Sequence, residues 1–370
     1  MSTCQRPRWT RHDHFASEAG VGNGGRKEKL MIRVALAGFG YWGPNLVRNF
    51  NQNPDSQLVA CCDLSTERRA AIAEAYPEVR LTDQYADLLN AADIDAIVVA
   101  TPARTHFEMA KLALLHGKHV LVEKPLAMNG CEAEQLVKLA ESKSLTLMVG
   151  HTFLYSPAVR ELKNAISSGV LGDVYYLHTQ RRNFGRVQTD INAMWSLAPH
   201  DVSIVLELLG EIPSEVSANG RSFLTPGIED VVYMTLTFPT GQIANIHISW
   251  LDPGKVRQVT VVGSRRMADY DDVAPKDKVM IVDKHAVPPA SGKGPFELLR
   301  GTSYPLDIPD DEPLALEVGD FVSSIKTGDK PKADGNNGLL VVQILEAAQR
   351  SMEADGKPMR LETNLALQTA

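Results

Sequence analysis

The segment from residue 31 to residue 63 constrains the fold of this chain more than any other part of the sequence. A short apolar run, Met31 to Ala37, leads directly into Gly38-Phe39-Gly40-Tyr41-Trp42-Gly43. A second apolar run ends at Asp63, about 20 residues after the third glycine. A strand, a glycine turn and a helix in this order, with an acid at this distance, predict the first βαβ unit of a dinucleotide-binding sheet.

Each glycine and the acid meet a requirement of a bound dinucleotide. Gly38 permits a sharp turn out of the strand, Gly40 lets phosphates approach the backbone, and Gly43 lets the helix pack closely. Asp63 is expected to accept hydrogen bonds from the adenosine ribose and to repel a 2′-phosphate. NAD is therefore the predicted cofactor, and NADP is less favoured although two arginines follow closely in the sequence. The alternative interpretation of the glycines is an ordinary loop.

Composition indicates an ordinary globular protein. A chain of 370 residues suits two domains, and 44% hydrophobic residues suffice for a sizeable core. The net charge of −7 provides no basic surface for nucleic acid. No apolar run approaches the roughly 18 residues of a membrane span, and the four cysteines lack metal-binding spacing. We therefore expect a cytoplasmic protein that binds neither nucleic acid nor a membrane.

The pattern of strands and helices changes near Gly150. From residue 31 to 150 they alternate, which predicts an α/β fold with an N-terminal Rossmann domain, a doubly wound parallel sheet. Residues 151–354 predict a C-terminal α+β domain with an open, mostly antiparallel sheet for substrate binding and oligomerisation. Both faces of the strand at 230–238 are fairly apolar, which favours a homo-dimer or tetramer formed through this sheet. The alternative is a sheet covered only by its own helices.

Three stretches differ from these two patterned regions. Residues 1–30 are rich in arginine and glycine and predict a disordered extension. Residues 273–312 are rich in Pro, Gly, Asp and Lys and predict a long surface excursion. Two helices are expected to follow, the first carrying Leu314 and the second beginning near Asn337, before a C-terminal tail at 355–370.

Three polar features fall where predicted parallel strands end, at the edge of the sheet where ligands bind. They are the glycine turn, Thr101-Pro102 and Glu123-Lys124-Pro125. Lys124 leaves an apolar strand, and Pro125 keeps the preceding backbone extended. Its ammonium group is therefore expected to reach a substrate oxygen beside the nicotinamide, although a surface lysine in a loop is the alternative.

Together these motifs resemble those of the Gfo/Idh/MocA family of NAD(P)-dependent oxidoreductases, which act mostly on sugars, sugar nucleotides and inositols. The likeness covers about residues 31 to 354. It rests on the glycine turn, Asp63, Ala100-Thr101-Pro102 with His106, Glu123-Lys124-Pro125, and Trp195-Ser196-Leu197-Ala198-Pro199-His200-Asp201. The resemblance implies that Lys124 and His200 flank the substrate carbinol as the catalytic residues.

Two sets of binding residues follow from the motifs and the resemblance. The expected cofactor contacts are Gly38, Phe39, Gly40, Tyr41, Trp42, Gly43, Asp63, Thr101, Pro102, His106, Glu123 and Lys124. The expected substrate contacts are Lys124, Arg182, Asn183, Asn192, Trp195, Ser196 and His200. No metal site is expected.

One position departs from the family pattern. Many inositol and sugar members carry Asp four residues before the catalytic His, where it can orient the imidazole across one helical turn. Here that place is taken by Ser196. We expect Ser196 to be the N-cap of a helix that runs to Leu209, with Pro199 in its first turn.

The sequence thus predicts an NAD-dependent oxidoreductase that acts on a secondary alcohol or ketone of a sugar or nucleotide sugar. Arginines between residues 181 and 186 suit a phosphorylated substrate, although a solvated strand end would carry them as well. Two alternatives remain. One is an inositol or free-monosaccharide dehydrogenase, and the other is a non-catalytic NAD-binding sensor or scaffold in which Ser196 marks a lost activity.

Overall fold

The computed structural model of the protein describes residues 31–361, so the predicted extension at 1–30 and the last part of the tail lie outside the described residues. Its first layer is a six-stranded parallel sheet in the order β3-β2-β1-β4-β5-β6. The strands are β1 (Ile32–Ala37), β2 (Ser56–Cys62), β3 (Arg80–Thr82), β4 (Ala96–Val99), β5 (His119–Val122) and β6 (Leu147–Val149). The prediction of a doubly wound parallel sheet is confirmed.

Helices cover both faces of this sheet because its strands are apolar on both sides. They are α1 (Gly43–Gln52), α2 (Thr66–Ala75), α3 (Tyr85–Asn90), α4 (His106–Leu115) and α5 (Gly130–Ser142). Side-chain caps start two of them, since Ser65 accepts a hydrogen bond at the start of α2 and Asn129 does so at α5. Cys61 and Cys62 alternate into two separate core clusters, one on each face.

The second layer is a nine-stranded sheet with two helices, α6 (Pro157–Ser167) and α7 (Ala193–Leu209). Its strand order is β16-β13-β12-β11-β7-β10-β9-β8-β17, and of the described pairs in this sheet β7 with β10 alone is parallel. The remaining strands within residues 31–361 are β7 (Val174–Phe184), β8 (Glu215–Arg221), β9 (Val231–Thr237), β10 (Ile243–Ser249), β11 (Leu251–Gly263), β12 (Met267–Asp271), β13 (Val279–Val282), β14 (Lys284–Val287), β15 (Glu297–Arg300), β16 (Tyr304–Pro305) and β17 (Met359–Arg360). The predicted mostly antiparallel sheet is therefore confirmed.

The two faces of the nine-stranded sheet differ in exposure. Along β9 the side chains of Val232, Met234 and Leu236 are buried against the helices, whereas Tyr233 is 56% exposed on the opposite face. This alternation follows from the period of two in a strand. One face of the sheet is thus open in the single chain.

The predicted surface excursion at 273–312 is wrong in part. Within it β13 pairs with β12, and Val279 and Ile281 are fully buried. The apolar run of β13 is only four residues long. The Pro, Gly, Asp and Lys residues around it dominate the composition of the segment, so composition alone predicted a surface loop. The ribbon of β14 and β15 does lie on the surface, as expected for this stretch.

The last two helices, α8 (Pro313–Thr327) and α9 (Gly335–Glu353), are confirmed, and α8 returns to the first layer. Phe321 of α8 meets Phe50 of α1 edge to face, with ring centroids 6.3 Å apart. Just before α8, Glu312 accepts two hydrogen bonds from Arg48 at 2.6 and 2.8 Å. This docking brings the start of α8 to the carboxyl edge of the parallel sheet.

None of the helices in the described part of the chain combines the length and apolar character that crossing a bilayer requires.

Candidate active site

A cleft of about 700 Å³ lies between the two layers, at the carboxyl ends of β1, β4 and β5. Residues of both layers line it, which suits a site where a cofactor meets a substrate. The first layer contributes Tyr41, Trp42, Thr101, Pro102, His106, Glu123 and Lys124. The second contributes Phe153, Arg181, Arg182, Asn183, Arg186, Gln188, Trp195, Ser196, His200, Lys255 and Arg257.

The glycine turn has the geometry that a pyrophosphate needs. Gly38 has φ +95°, and a Cβ there would lie 2.7 Å from the carbonyl oxygen of Ala100. At Gly43 a Cβ would lie 2.9 Å from the Phe39 ring, so close packing of α1 requires glycine. Nothing lies within 4 Å of a Cβ placed on Gly40, which leaves its backbone open to a phosphate. The three glycines therefore fit an NAD pyrophosphate.

Asp63 is buried at the end of β2, beside the glycine turn. One carboxylate oxygen accepts a hydrogen bond from the Phe39 backbone N–H at 2.7 Å, and the other accepts one from the Ser65 N–H at 2.8 Å. Arg68 approaches the same carboxylate at 3.4 Å. Each oxygen retains acceptor capacity, so the position suits recognition of ribose hydroxyls.

Lys124 connects the two layers directly. Its ammonium donates a hydrogen bond at 2.9 Å to the backbone carbonyl of Ser196, in the helix that carries His200. Burial lowers the pKa of Lys124, and Arg181 and Arg257 lower it further, whereas Glu123 opposes them. Burial raises the pKa of the neighbouring Glu123 to about 7, although the positive charge of Lys124 opposes this rise. The hydrogen bond to Ser196 uses one of the three N–H donors of the ammonium group, so the others can reach a substrate oxygen.

His200 faces the same cleft from α7. Its ring packs edge to face on Phe153, with centroids 5.0 Å apart. Its Nδ1 is buried and has no hydrogen-bond partner within residues 31–361. Burial lowers the pKa of His200 well below its usual value, and the positive charges of Lys124 and Arg181 add to this effect. The imidazole is consequently neutral at neutral pH and can accept a proton.

Phe153 is a cleft residue that the sequence interpretation missed. The Arg181 guanidinium lies 4.3 Å from its ring centroid and that of Arg257 lies 5.8 Å away, so the ring packs against two cations as well as against His200. Arg181 is itself buried in an ion pair of 2.5 Å with Asp201. The available signal was its place just after β6, another parallel strand that ends at the same edge.

The predicted start of the α7 helix is wrong. The N-cap is Asn192, whose side-chain oxygen accepts the Trp195 backbone N–H at 3.0 Å. Pro199 therefore lies inside the helix, where it lacks the N–H that would bond to the preceding turn. Ser196 uses its hydroxyl to accept a hydrogen bond of 2.7 Å from Gln188. Asn and Ser are similarly good N-caps, so propensity does not choose between them.

The polar groups of two predicted substrate residues, Asn192 and Arg182, are bonded to carboxylates of the protein. Asn192 is buried at the cap and donates to Glu229 at 2.6 Å, away from the cleft. Arg182 borders the cleft, but its guanidinium is engaged in an ion pair of 2.6 Å with Asp252. Arg257 is the direct cross-strand partner of Arg181 and also lines the cleft.

His106 connects two of the turns that line the cofactor side of the cleft. It is buried, and its two ring nitrogens lie 2.7 Å from the Pro125 carbonyl oxygen and 2.8 Å from that of Thr101. It therefore ties together the two turns that carry Thr101-Pro102 and Lys124-Pro125.

The comparisons with known proteins agree with this geometry. Residues 32–151 match the family model described as oxidoreductase family, NAD-binding Rossmann fold, and residues 159–269 match the C-terminal domain of the same family. The protein is therefore an NAD-dependent oxidoreductase. It belongs to the Gfo/Idh/MocA family.

Named relatives extend over most of the chain. UDP-N-acetylglucosamine 3-dehydrogenase of Acidithiobacillus ferrooxidans is 28% identical, with 88% of this chain and 98% of that protein covered. Inositol 2-dehydrogenase of Rhizobium meliloti is 27% identical, with 87% and 97% covered. A crystal structure of the Acidithiobacillus ferrooxidans enzyme superposes with a TM-score of 0.75 at 26% identity, covering 88% of this chain and 98% of the other.

Proposed function

We propose that the protein oxidises a secondary alcohol of a nucleotide sugar. The observation that carries the proposal is the contact between Lys124 and the backbone of α7, because it holds a lysine of one layer beside the imidazole of His200 in the other. Separate elements thus converge on one cleft that also contains the glycine turn.

The roles of the two groups follow from their charges. His200, neutral because of its lowered pKa, takes the proton of the substrate hydroxyl. Lys124 donates a hydrogen bond to the same oxygen and stabilises the charge that develops there. When bound on the glycine turn, NAD⁺ supplies the acceptor for the hydride. Phe153 keeps the imidazole in place without the carboxylate that other family members use.

Unpaired cations at the mouth of the cleft favour a diphosphate. Arg181, Arg182 and Arg257 are neutralised by Asp201, Asp252 and Asp272 at 2.5, 2.6 and 3.2 Å. Within residues 31–361, neither Arg186 nor Lys255 forms an ion pair or a side-chain hydrogen bond, although both line the cleft and are exposed. Two such cations suit the diphosphate of a sugar whose ring reaches Lys124. The similarity to a UDP-N-acetylglucosamine dehydrogenase supports the same class.

The second candidate is an inositol or free-monosaccharide dehydrogenase, which the similarity to inositol 2-dehydrogenase favours. The two candidates differ in whether the cations at the mouth contribute to binding. A free sugar would fill the region near Lys124 and leave Arg186 and Lys255 in solvent.

A substrate panel separates these candidates. The purified protein is given NAD⁺ with UDP-sugars, dTDP-sugars, inositols and free sugars, and NADH absorbance is followed. We expect turnover of a nucleotide sugar, competitive inhibition by UDP or dTDP, and a rise of roughly tenfold or more in KM for Arg186→Ala, since charge-assisted hydrogen bonds contribute about 1.5–3 kcal/mol. Arg350→Ala, at an exposed site on α9, is the control. Equal use of a free sugar without nucleotide competition would support the second candidate.

We also propose that the open face of the nine-stranded sheet pairs with a second copy of the chain. Tyr176 lies directly opposite Ile243, and Tyr233 stacks on His247 at 4.2 Å, so aromatic and aliphatic groups adjoin on this face. An exposed apolar patch of this kind is typical of an interface. Analytical ultracentrifugation should find a homo-dimer or tetramer that Tyr233→Glu dissociates. A monomer at micromolar concentration would contradict the proposal.

A further inference from the structure

The loop that joins β7 to α7 borders the cleft without regular secondary structure. We call residues 185–192 the β7–α7 loop, and Arg186, Gln188 and Ile191 within it line the cleft. Ile191, near the end of the loop, is 8% exposed and packs into the apolar core. A loop of this kind has no helical or strand hydrogen bonds, so the contacts of its side chains and ends determine its position.

Hydrogen bonds near both ends hold the β7–α7 loop on the second layer. The Gly185 N–H donates to the Trp250 carbonyl oxygen at 3.1 Å. Further along, the Gln188 amide group donates to the Ser196 hydroxyl oxygen at 2.7 Å. Arg186 lies between these two contacts in the sequence. The position of its guanidinium in the cleft therefore depends on how the whole loop is held.

Another contact to this loop comes from the first layer. Arg104 lies in the short 3₁₀ turn Ala103–Thr105, which follows β4 and Thr101-Pro102 on the cofactor side. Its Nε donates to the Asp190 carbonyl oxygen at 3.1 Å, and its Nη2 donates to the same oxygen. Hydrogen bonds from a charged donor are stronger than those between neutral groups. The guanidinium thus joins the cofactor turn to the loop on the substrate side.

Together these bonds form a closed path around the cleft. Lys124 of the first layer donates to the Ser196 carbonyl oxygen, and the Ser196 hydroxyl accepts from Gln188 of the loop. The loop returns to the first layer through Arg104. Without Arg104 the loop would be held on the second layer only, so it would open away from the cofactor side more often.

We propose that Arg104 holds the β7–α7 loop across the cleft and is thereby a positioning residue for Arg186, the cation that we assign to the substrate diphosphate. Arg104 acts through the backbone of the loop rather than through the reacting atoms. Because Arg186 is held in place before the substrate arrives, less ordering remains to be done on binding, and affinity increases. The inference rests on the nucleotide-sugar function proposed above.

The hold on the loop is measurable without any substrate, because the peptide bond after Arg186 is a trypsin site. Limited proteolysis of the full-length protein is followed by mass spectrometry of cleavage between Arg186 and Val187. Arg104→Ala should be cleaved there roughly fivefold or more faster than wild type, since the loop opens more often. Arg104→Lys keeps a charged donor and should stay within about twofold of wild type. Cleavage after Lys293, in the exposed turn before β15, is the internal reference. Equal rates after Arg186 in Arg104→Ala and wild type would contradict the proposal, whichever sugar the enzyme uses.

The positioning role is read from a double-variant cycle on the Kd for UDP, measured by calorimetry on the NADH-saturated protein. Arg104→Ala should raise this Kd by roughly fivefold or more while the affinity for NADH stays within about twofold, because the loop serves the substrate side. In an Arg186→Ala background the same change should raise the Kd by less than about twofold, since Arg104 acts through Arg186. Arg104→Lys should restore most of the affinity, and Arg350→Ala on α9 is the control.

Two outcomes of the cycle would overturn the positioning role. A full effect of Arg104→Ala in the Arg186→Ala background would mean that Arg104 acts independently of Arg186. A Kd for UDP that Arg186→Ala leaves unchanged would remove the diphosphate assignment and the positioning role with it. The cleavage result separates this second failure from a failure of the hold on the loop, because it involves no ligand.

Discussion

The two sides of the cleft are built in different ways. The cofactor side consists mainly of backbone from one continuous stretch, residues 38–63, where three glycines and Asp63 suffice. The substrate side consists of side chains from β7, α7 and β11 and from the turn after β6, with α8 behind them. The first depends on local chain geometry, whereas the second depends on how distant elements pack. Variants on the two sides should therefore fail in different ways.

The largest effect is expected on the catalytic groups. His200→Ala removes the proton acceptor and Lys124→Ala removes the donor to the substrate oxygen, so each should lower kcat by roughly 10²–10⁴-fold. Because both act on one oxygen, the double variant should lose little more than the worse single variant. NADH binding, followed by fluorescence titration, should stay within about twofold of wild type. Turnover close to wild type in both single variants would exclude these roles.

Two glycine variants test the cofactor side. Gly40→Ala should fold normally, since nothing lies within 4 Å of the new Cβ, but should weaken NAD binding by roughly tenfold or more because the methyl group occupies the phosphate approach. Gly38→Ala combines φ +95° with a backbone clash and should lose about 1–3 kcal/mol of unfolding free energy. Calorimetry and NAD titration of both variants separate these effects. Equal NAD affinity in Gly40→Ala and wild type would remove the phosphate assignment.

A smaller effect than those above is expected at Asp63, which should set the preference for NAD over NADP. Asp63→Ser removes a charged acceptor for the ribose hydroxyls and leaves Arg68 free to meet a 2′-phosphate, so the ratio of kcat/KM for NAD to that for NADP should fall by about 10–100-fold. The buried bonds from Phe39 and Ser65 are also lost, so the melting temperature is measured alongside. An unchanged ratio would mean that the cofactor is distinguished elsewhere.

The same contrast explains what could be read from the sequence. The six parallel strands, the glycine turn and the strand-end turns at Thr101 and Lys124 follow from local patterns, and the structure has them where they were expected. The pairing of Arg182 with Asp252 depends on the register of β7 against β11, and the cap of α7 depends on a choice between two good N-caps. A one-residue shift along a strand turns every side chain to the other face, so local patterns leave such positions open.

The burial of Glu317 depends even more on packing. Nothing near Glu317 in the sequence marks it, because α8 buries this side chain only after the chain returns to the parallel sheet. Phe153 was predictable from the sequence only in part. Its place after β6 could be read from the strand order, whereas its contact with His200 could not.

The smallest effect expected is a pH dependence of stability that both sides share. Burial lowers the pKa of His106 on the cofactor side, of His200 on the substrate side, and of His151 behind them, the last to about 4. A histidine whose pKa is lowered by folding binds a proton more readily in the unfolded chain. Stability should therefore be fully present above about pH 6.5 and fall as the pH decreases toward the folded pKa.

For His151 this window runs from about pH 6.5 down to about pH 4, at about 1.4 kcal/mol per pH unit for each proton. Urea unfolding at several pH values should give a shallower slope for His151→Gln than for wild type. His116→Gln, at an exposed position after α4, should keep the wild-type slope. If His151→Gln kept the full slope, its imidazole would already be protonated in the folded protein, and the hydrogen bond to Asn337 would then have to hold a charged ring.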